Sequence, residues 1–305
     1  MAARALAAKT IEMVEVGPRD GLQNERIVVP TDDKAELIRR AIDYGARRIE
    51  VTSFVNPRRV PQLADAEQLV AMLPERDDVT YIGLVLNRRG AERALASERI
   101  DELGAVCVTS DAFGTRNQGQ TSAESLAEAM AIVAMARAAG RTAQITIATA
   151  FGCPFTGEVA MDHVVDMAKR AADARPREIA LADTIGAGTP GEVAELVGRV
   201  SEAVEGLPLR VHFHNTRGSG LANVWAAVGE GATTVDAALG GLGGCPFAPG
   251  AAGNVATEDV TYLLERSGIA TGLALDPLVE AARWLGNIID RPLPAMVSKA
   301  PLFPE

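Results

Sequence analysis

Val14-Glu15-Val16-Gly17-Pro18-Arg19-Asp20-Gly21-Leu22-Gln23-Asn24-Glu25 is the stretch whose reading decides the fold. It predicts a first strand, Glu12–Val16, that breaks into a charged turn at Gly17-Pro18. An open, doubly wound sheet usually announces itself here with a glycine-rich dinucleotide turn, and Gly-Pro-Arg-Asp-Gly is not one. Seven further strand-like runs follow: Arg48–Thr52, Thr80–Leu86, Ala105–Ser110, Gln144–Ala148, Glu178–Ala182, Arg210–His214 and Thr234–Ala238. Segments of helical period lie between them, among them Asp32–Tyr44, Ser122–Ala139 and Gly191–Val204. Thr31-Asp32, Thr121-Ser122 and Thr189-Pro190 supply helix starts, and Gly45 and Gly140 supply stops. Alternating strands and helices predict βαβ units on a parallel sheet. Eight units in about 250 residues make the tally of an α/β fold of the (β/α)8 TIM-barrel type. No Ser/Pro/Gly-rich linker divides the chain, so residues 1–305 are expected to form a single domain. About ten residues at the start read as a flexible tail, and about 275–305, with a helix near Pro277–Ile289, as a short C-terminal helical extension.

Composition narrows the partners. A net charge of −10 argues against a nucleic-acid binder, so anionic ligands must be met by local arginines. The three cysteines, Cys107, Cys153 and Cys245, match no zinc spacing and favour a reduced chain, with a cytoplasmic location expected. No run approaches the length of a membrane span, and the first residues lack the apolar stretch of a signal peptide. A homo-oligomer, dimer or higher, is the default expectation.

The chemistry gathers at predicted strand ends. His212-Phe213-His214 places two imidazoles at i and i+2, on one face of strand 7. Arg19 and Asp20 follow strand 1, Glu50 in strand 2 leads into Thr52-Ser53-Phe54, and Asp183-Thr184 end strand 6. The loop Gly240–Asn254 follows strand 8. In a barrel, active-site groups occupy the C-terminal strand ends. Closure sets strand 8 beside strand 1, so segments 7, 8, 1 and 2 share one arc. Asp20, His212 and His214 offer one oxygen and two nitrogen ligands. Asn254 adds either an amide oxygen or only a turn or helix cap. Such a mixed set suits a divalent cation, Mg2+ or Mn2+, with open positions. The loop Gly240-Gly241-Leu242-Gly243-Gly244-Cys245 lets backbone approach a ligand or move as a lid. Cys245 reads either as an acid and hydrogen-bond donor or as inert packing. Phosphate cradling is a rival use of the loop, without the Lys-Ser/Thr ending of a P-loop.

These residues resemble the 3-hydroxy-3-methylglutaryl-CoA lyase family, within the metal-dependent TIM-barrel lyases and synthases. The likeness runs from Val14 to about Asp259. Its anchors are Gly17 to Glu25, Glu50-Val51-Thr52-Ser53-Phe54-Val55 with Pro57, Val60-Pro61-Gln62, Asp183-Thr184-Ile185-Gly186, and the glycine loop through Gly253-Asn254. The resemblance implies Asp20, His212, His214 and Asn254 as metal ligands, Arg19 as electrophilic catalyst, Cys245 as the mobile-loop catalytic cysteine and Glu50 as a supporting acid. His212, Asp20 or a metal-bound water become candidates for taking the hydroxyl proton. Arg19, Gln23, Ser53, Thr184 and Arg217 are the expected substrate contacts. Two positions depart from the family pattern. Asn215-Thr216-Arg217-Gly218 stands where Asp-Thr-Tyr-Gly is usual, and Ala180 replaces a serine.

The implied activity is a retro-Claisen cleavage of 3-hydroxy-3-methylglutaryl-CoA, or a close relative, to acetyl-CoA and acetoacetate or the matching oxo acid. The expected partner is therefore an acyl-CoA thioester, not a nucleic acid or a membrane. A Claisen-type condensing synthase is the first alternative, although such enzymes often carry a regulatory domain for which 305 residues leave no room. A catalytically silent barrel that binds CoA esters or metal is the second.

Overall fold

The computed structural model describes residues 10–244 and 253–301. Eight parallel strands close a barrel in sequence order. They are β1 (Glu12–Glu15), β2 (Arg48–Ser53), β3 (Thr80–Val85), β4 (Glu102–Val108), β5 (Thr142–Ala148), β6 (Ile179–Asp183), β7 (Leu209–Phe213) and β8 (Thr234–Ala237). Helices α1 (Thr31–Asp43), α2 (Ala66–Ala71), α3 (Arg88–Leu95), α4 (Asp111–Asn117), α5 (Ser122–Ala138), α6 (Met161–Ala172), α7 (Pro190–Ala203), α8 (Gly220–Gly229) and α9 (Thr257–Arg266) surround it. The C-terminal helix α10 (Leu275–Ile288) returns to α1, where Arg40 lies 4.6 Å over the Trp284 ring. No described helix is long and apolar enough to cross a membrane.

The predicted strands and helices are all present, with shifted ends. β4 starts at Glu102 rather than Ala105. Its first residues, Glu102-Leu103-Gly104, look strand-averse, yet Glu102 is buried against the Arg48 guanidinium at 2.6 Å. Ser110 falls outside the same strand because its hydroxyl accepts the Phe113 N–H and caps α4. Reciprocal capping boxes start α5 (Thr121 with Glu124) and α7 (Thr189 with Glu192).

The main apolar core lies between barrel and helices, with Leu37, Ile49, Leu103, Ile145 and Val211 all buried. The barrel interior is different. Among the described residues, a small apolar cluster separate from the main core joins Val14, Val16, Ile82 and Ala238 there. Charges occupy much of the remainder. Arg48 donates to Glu12 at 2.7 Å, Glu102 at 2.6 Å and Glu178 at 2.7 Å. Removing one partner of such a buried pair costs about 3–5 kcal/mol, because the other charge is stranded.

A second buried group ties the exit of β1 to the exit of β8. The Glu15 carboxylate accepts the Gly17 and Leu239 N–H groups at 2.7 and 2.9 Å. It also accepts the Tyr44 and Thr257 hydroxyls at 2.6 and 2.7 Å. Next to it, Glu258 Oε2 accepts the Gly240 N–H at 3.0 Å, while Glu258 Oε1 is buried without a partner among the described residues. Burial, with Asp259 and Glu15 nearby, pushes the Glu258 carboxyl up to about 8. The folded state therefore holds a proton that the unfolded chain releases near 4.5. The stability this proton confers is complete below that value and is lost as pH rises through about 8. Thermal melts of the wild type should fall between pH 5 and pH 9, and Glu258→Gln should flatten that decline. Parallel slopes for the two proteins would rule Glu258 out as its source.

Candidate active site

The C-terminal ends of β7, β8, β1 and β2 open on a cavity of about 1020 Å3, bordered by Arg19, Asp20, Glu50, His212, His214 and Asp236. After β1 the chain makes one π-helical turn, Gly17–Gly21, in which Val16 O accepts the N–H groups of Arg19, Asp20 and Gly21 at 3.2, 2.8 and 3.1 Å. Pro18 fits there because a first-turn N–H has no helical partner to lose. Arg19 donates to Asp20 Oδ1 at 2.5 Å and, through Nε, to Glu50 Oε1. Burial opposes the Arg19 charge, but Glu50 and Asp20 outweigh it and hold the guanidinium above its usual range.

His212 and His214 reach the same point from β7. Their Nε2 atoms lie 3.9 and 3.7 Å from Asp20 Oδ2, too far for a hydrogen bond. Ligand atoms of the three residues all fall within 4.8 Å of one another. His212 Nδ1 lies 3.1 Å from Asp236 Oδ2, on the strand residue paired with it in register. With Nδ1–H donating there, the Nε2 lone pair faces Asp20. Burial works against the Asp20 carboxylate, yet Arg19 and the two imidazoles hold it well below the ordinary range. Burial likewise raises Asp236, but Arg210 and His212 bring it down. One carboxylate and two imidazoles converging without hydrogen bonds to each other make a group that could hold a metal ion.

Asn254 adds a signal of the same kind. Its backbone pairs with His214 and its Nδ2 donates to Asp20 Oδ2 at 2.7 Å, so it is neither a cap nor a free turn residue. The amide nitrogen meets the carboxylate, which leaves the oxygen, the expected metal ligand, buried without a protein partner among the described residues. An unmet acceptor beside a carboxylate fits a divalent cation. Glycine is obligatory next to it. Gly243 has φ +98°, and a Cβ there would lie 2.4 Å from Asn254 Nδ2. Cys245 lies outside the described residues.

The expected substrate contacts divide. Arg19, Gln23 and Thr184 line the cavity. Ser53 is buried, has no hydroxyl partner among the described residues, and is not among the lining residues. Arg217 is not among them either. It donates to Ile185 O at 2.8 Å and Gly186 O at 2.9 Å, so its charge straps the loop after β6 instead of bordering the cavity. The sequence reading overlooked Asp236, which sits in the apolar run of β8, and Arg210, two residues before His212 on the same face. Strand register would have exposed both. It also overlooked the exposed arginines 58, 59 and 89, which with Arg116 border the outer cavity.

Known proteins share this architecture. A family model described as HMGL-like matches residues 10–285. The chain is 42% identical to an (R)-citramalyl-CoA lyase of Chloroflexus aurantiacus, over 97% of each chain. It is 37% identical to a hydroxymethylglutaryl-CoA lyase of Bacillus subtilis, over 94% of this chain and 96% of that one. An HMG-CoA lyase from Acinetobacter baumannii, solved with coenzyme A and 3-methylmalate, superposes with a TM-score of 0.91 at 40% identity, covering 96% of this chain and 95% of that one.

With Asp20, His212 and His214 as cation ligands, Mn2+ at a hundredfold over its Kd should add about 2.7 kcal/mol of stability. Thermal melts with Mn2+ and then with chelator check this. Asp20→Asn should abolish the shift, and an undiminished shift in that variant would place the cation elsewhere.

Proposed function

The chain belongs to the HMGL-like family and is an acyl-CoA lyase of the oxo-acid-lyase class; from that premise we propose that it cleaves 3-hydroxy-3-methylglutaryl-CoA to acetyl-CoA and acetoacetate. The observation that carries the reading is the cluster of Asp20, His212 and His214 beside Arg19, all bordering one cavity. Retro-Claisen cleavage needs those groups. The C3 hydroxyl gives up its proton, the C2–C3 bond breaks, C3 becomes a ketone, and the bonding pair passes to the thioester as an enolate.

Asp20, His212 and His214 would hold Mg2+ or Mn2+, which when bound supplies the positive charge that lowers the pKa of a neighbouring hydroxyl. Arg19, fixed by Glu50 and Asp20, stabilises the negative charge that develops on the thioester oxygen. Asp20 is the proposed acceptor of the hydroxyl proton, because His212, with Nδ1–H given to Asp236 and Nε2 toward the cation, keeps no lone pair free. Cys245, on the loop after β8, is the proposed donor that protonates C2. Gln23 and Thr184 are proposed substrate contacts on the cavity wall. Arg58, Arg59, Arg89 and Arg116 give a chain of net charge −10 a cationic mouth, suited to the phosphates of coenzyme A.

A second substrate is favoured by the 42% identity to an (R)-citramalyl-CoA lyase. Citramalyl-CoA carries its carboxylate one methylene closer to the carbinol carbon, and the same bond cleavage gives acetyl-CoA and pyruvate. A pocket distinguishes one methylene by about 1–3 kcal/mol, or roughly 10- to 200-fold.

Each thioester should be incubated with purified protein and Mg2+ or Mn2+, and acetoacetate or pyruvate measured before and after chelation. Chelator-sensitive release from one substrate, at least about tenfold faster than from the other, is the expected result. Release of neither acid by folded, metal-loaded protein would exclude both substrates. Arg58→Ala with Arg89→Ala should raise KM for the thioester about tenfold at low salt with little change in kcat. An unchanged KM would remove the mouth arginines from coenzyme A binding.

A further inference from the structure

Beneath His212 on β7 lies Arg210, a guanidinium only 1% exposed that takes no part in the proposed bond cleavage. Its three nitrogens address three carboxylates. Nε donates to Asp236 Oδ1 at 2.5 Å, Nη1 lies 3.7 Å from Glu178 Oε1, and Nη2 lies 4.0 Å from Glu50 Oε2. Two of these carboxylates have another duty at the site. Asp236 presents its second oxygen to His212 Nδ1 at 3.1 Å, and Glu50 presents its second oxygen to Arg19 Nε. Arg210 therefore stands between the imidazole side of the site and the guanidinium side.

We propose that Arg210 is a positioning residue that couples His212 to Arg19: its Nε–H fixes one oxygen of Asp236, and its charge, 4.0 Å from Glu50 Oε2 and beyond hydrogen-bond reach, attracts one oxygen of Glu50, so that each carboxylate offers its other oxygen to the working group. The proposal rests on the lyase reading for the role of Arg19, but its His212 arm concerns metal binding alone. A planar guanidinium suits this task because its donors are fixed in one fork, whereas a lysine ammonium is a point charge on a flexible stem. Without the cation, Asp236, Glu50 and Glu178 would face one another across the barrel and turn away from their partners. Thr234 cannot substitute, since its hydroxyl is given to Glu178 Oε2 at 2.9 Å. Groups that orient metal-ligating histidines typically contribute 10- to 100-fold in metal affinity.

Two double-mutant cycles on the full chain test the coupling. The first combines Arg210→Lys with Asp236→Asn and reads Mn2+ affinity by calorimetry. Each single change should weaken Mn2+ about 10- to 100-fold, and the pair should be no weaker than the worse single. The second combines Arg210→Lys with Glu50→Gln and reads kcat at saturating metal and thioester, with the same non-additivity expected. General loosening of the barrel would not produce coupling in one parameter with one partner and in the other parameter with the other. Mn2+ affinity of Arg210→Lys within about twofold of wild type, or effects that multiply within each cycle, would overturn the proposal. Should the lysine variant fail to fold, Arg210→Gln with Glu178→Gln removes one charge of each sign and takes its place. A wild type that binds Mn2+ but cleaves neither thioester would end the substrate reading, while the first cycle would still decide this one.

Discussion

A column of alternating charge runs through the barrel, and both fold and site depend on it. Arg48 gathers Glu12, Glu102 and Glu178 at the N-terminal end. Glu178 faces Arg210, Arg210 faces Asp236, and Asp236 faces His212 at the C-terminal end. Barrels of this type are usually filled by branched aliphatic side chains. Here desolvation costs several kcal/mol per ion and is offset only because each charge meets an opposite one in a medium of low dielectric constant. The compensation is collective. Moving one member strands its neighbours, so the interior cannot repack locally as an aliphatic core can.

This shared column explains why the site is rigid where the chemistry requires it and built from backbone turns elsewhere. The imidazoles stand on β7 and are fixed from below by side chains. Arg19 and Asp20 stand on a turn beyond β1, and that turn is fixed from behind by Glu15, whose carboxylate also takes the Leu239 N–H at the exit of β8. Two buried acids with different surroundings thus do different work. Burial raises both carboxyls; four hydrogen bonds to Glu15 oppose the rise there, while Glu258 keeps one oxygen unmet and is pushed up to about 8.

Much of this was legible in the sequence, for physical reasons that also mark where legibility ends. Strand and helix periods repeat along the whole chain, and closure follows from eight units, so the arc joining Arg19, Glu50 and His212 could be inferred. Residue type could be read but not direction. Arg217 looks like charge added to the site, yet its side chain satisfies two backbone carbonyls. Asn254 reads as an amide oxygen for a cation, and the sequence does not show that its nitrogen is taken by Asp20. Glu102, Arg210 and Asp236 were obscured for another reason. Glu102 is a charge at the head of an apolar strand, which propensity counts as a break, whereas Arg210 and Asp236 lie within predicted strands but have their partners a long way off in sequence. Only strand register brings Asp236 opposite His212.

The same accounting bears on how acids of different length are told apart. The inner guanidinium groups are already engaged: Arg19 by Glu50 and Asp20, and Arg210 by Asp236 with Glu178 and Glu50 nearby. A buried donor already paired gains little from a further anion, because a new contact must replace an existing one. Charge therefore discriminates poorly between two acyl groups that carry the same carboxylate. Shape can do more. The wall beside the imidazoles includes Ala182, paired in register with His212, and Thr146 and Ala148 on β5, all small side chains on paired strands. A rigid wall of this kind leaves a fixed volume, and one methylene too many or too few must then be answered by clash or by void. The charged column supplies that rigidity, so under the proposed reaction selectivity for acyl length would follow from the interaction that holds the barrel together.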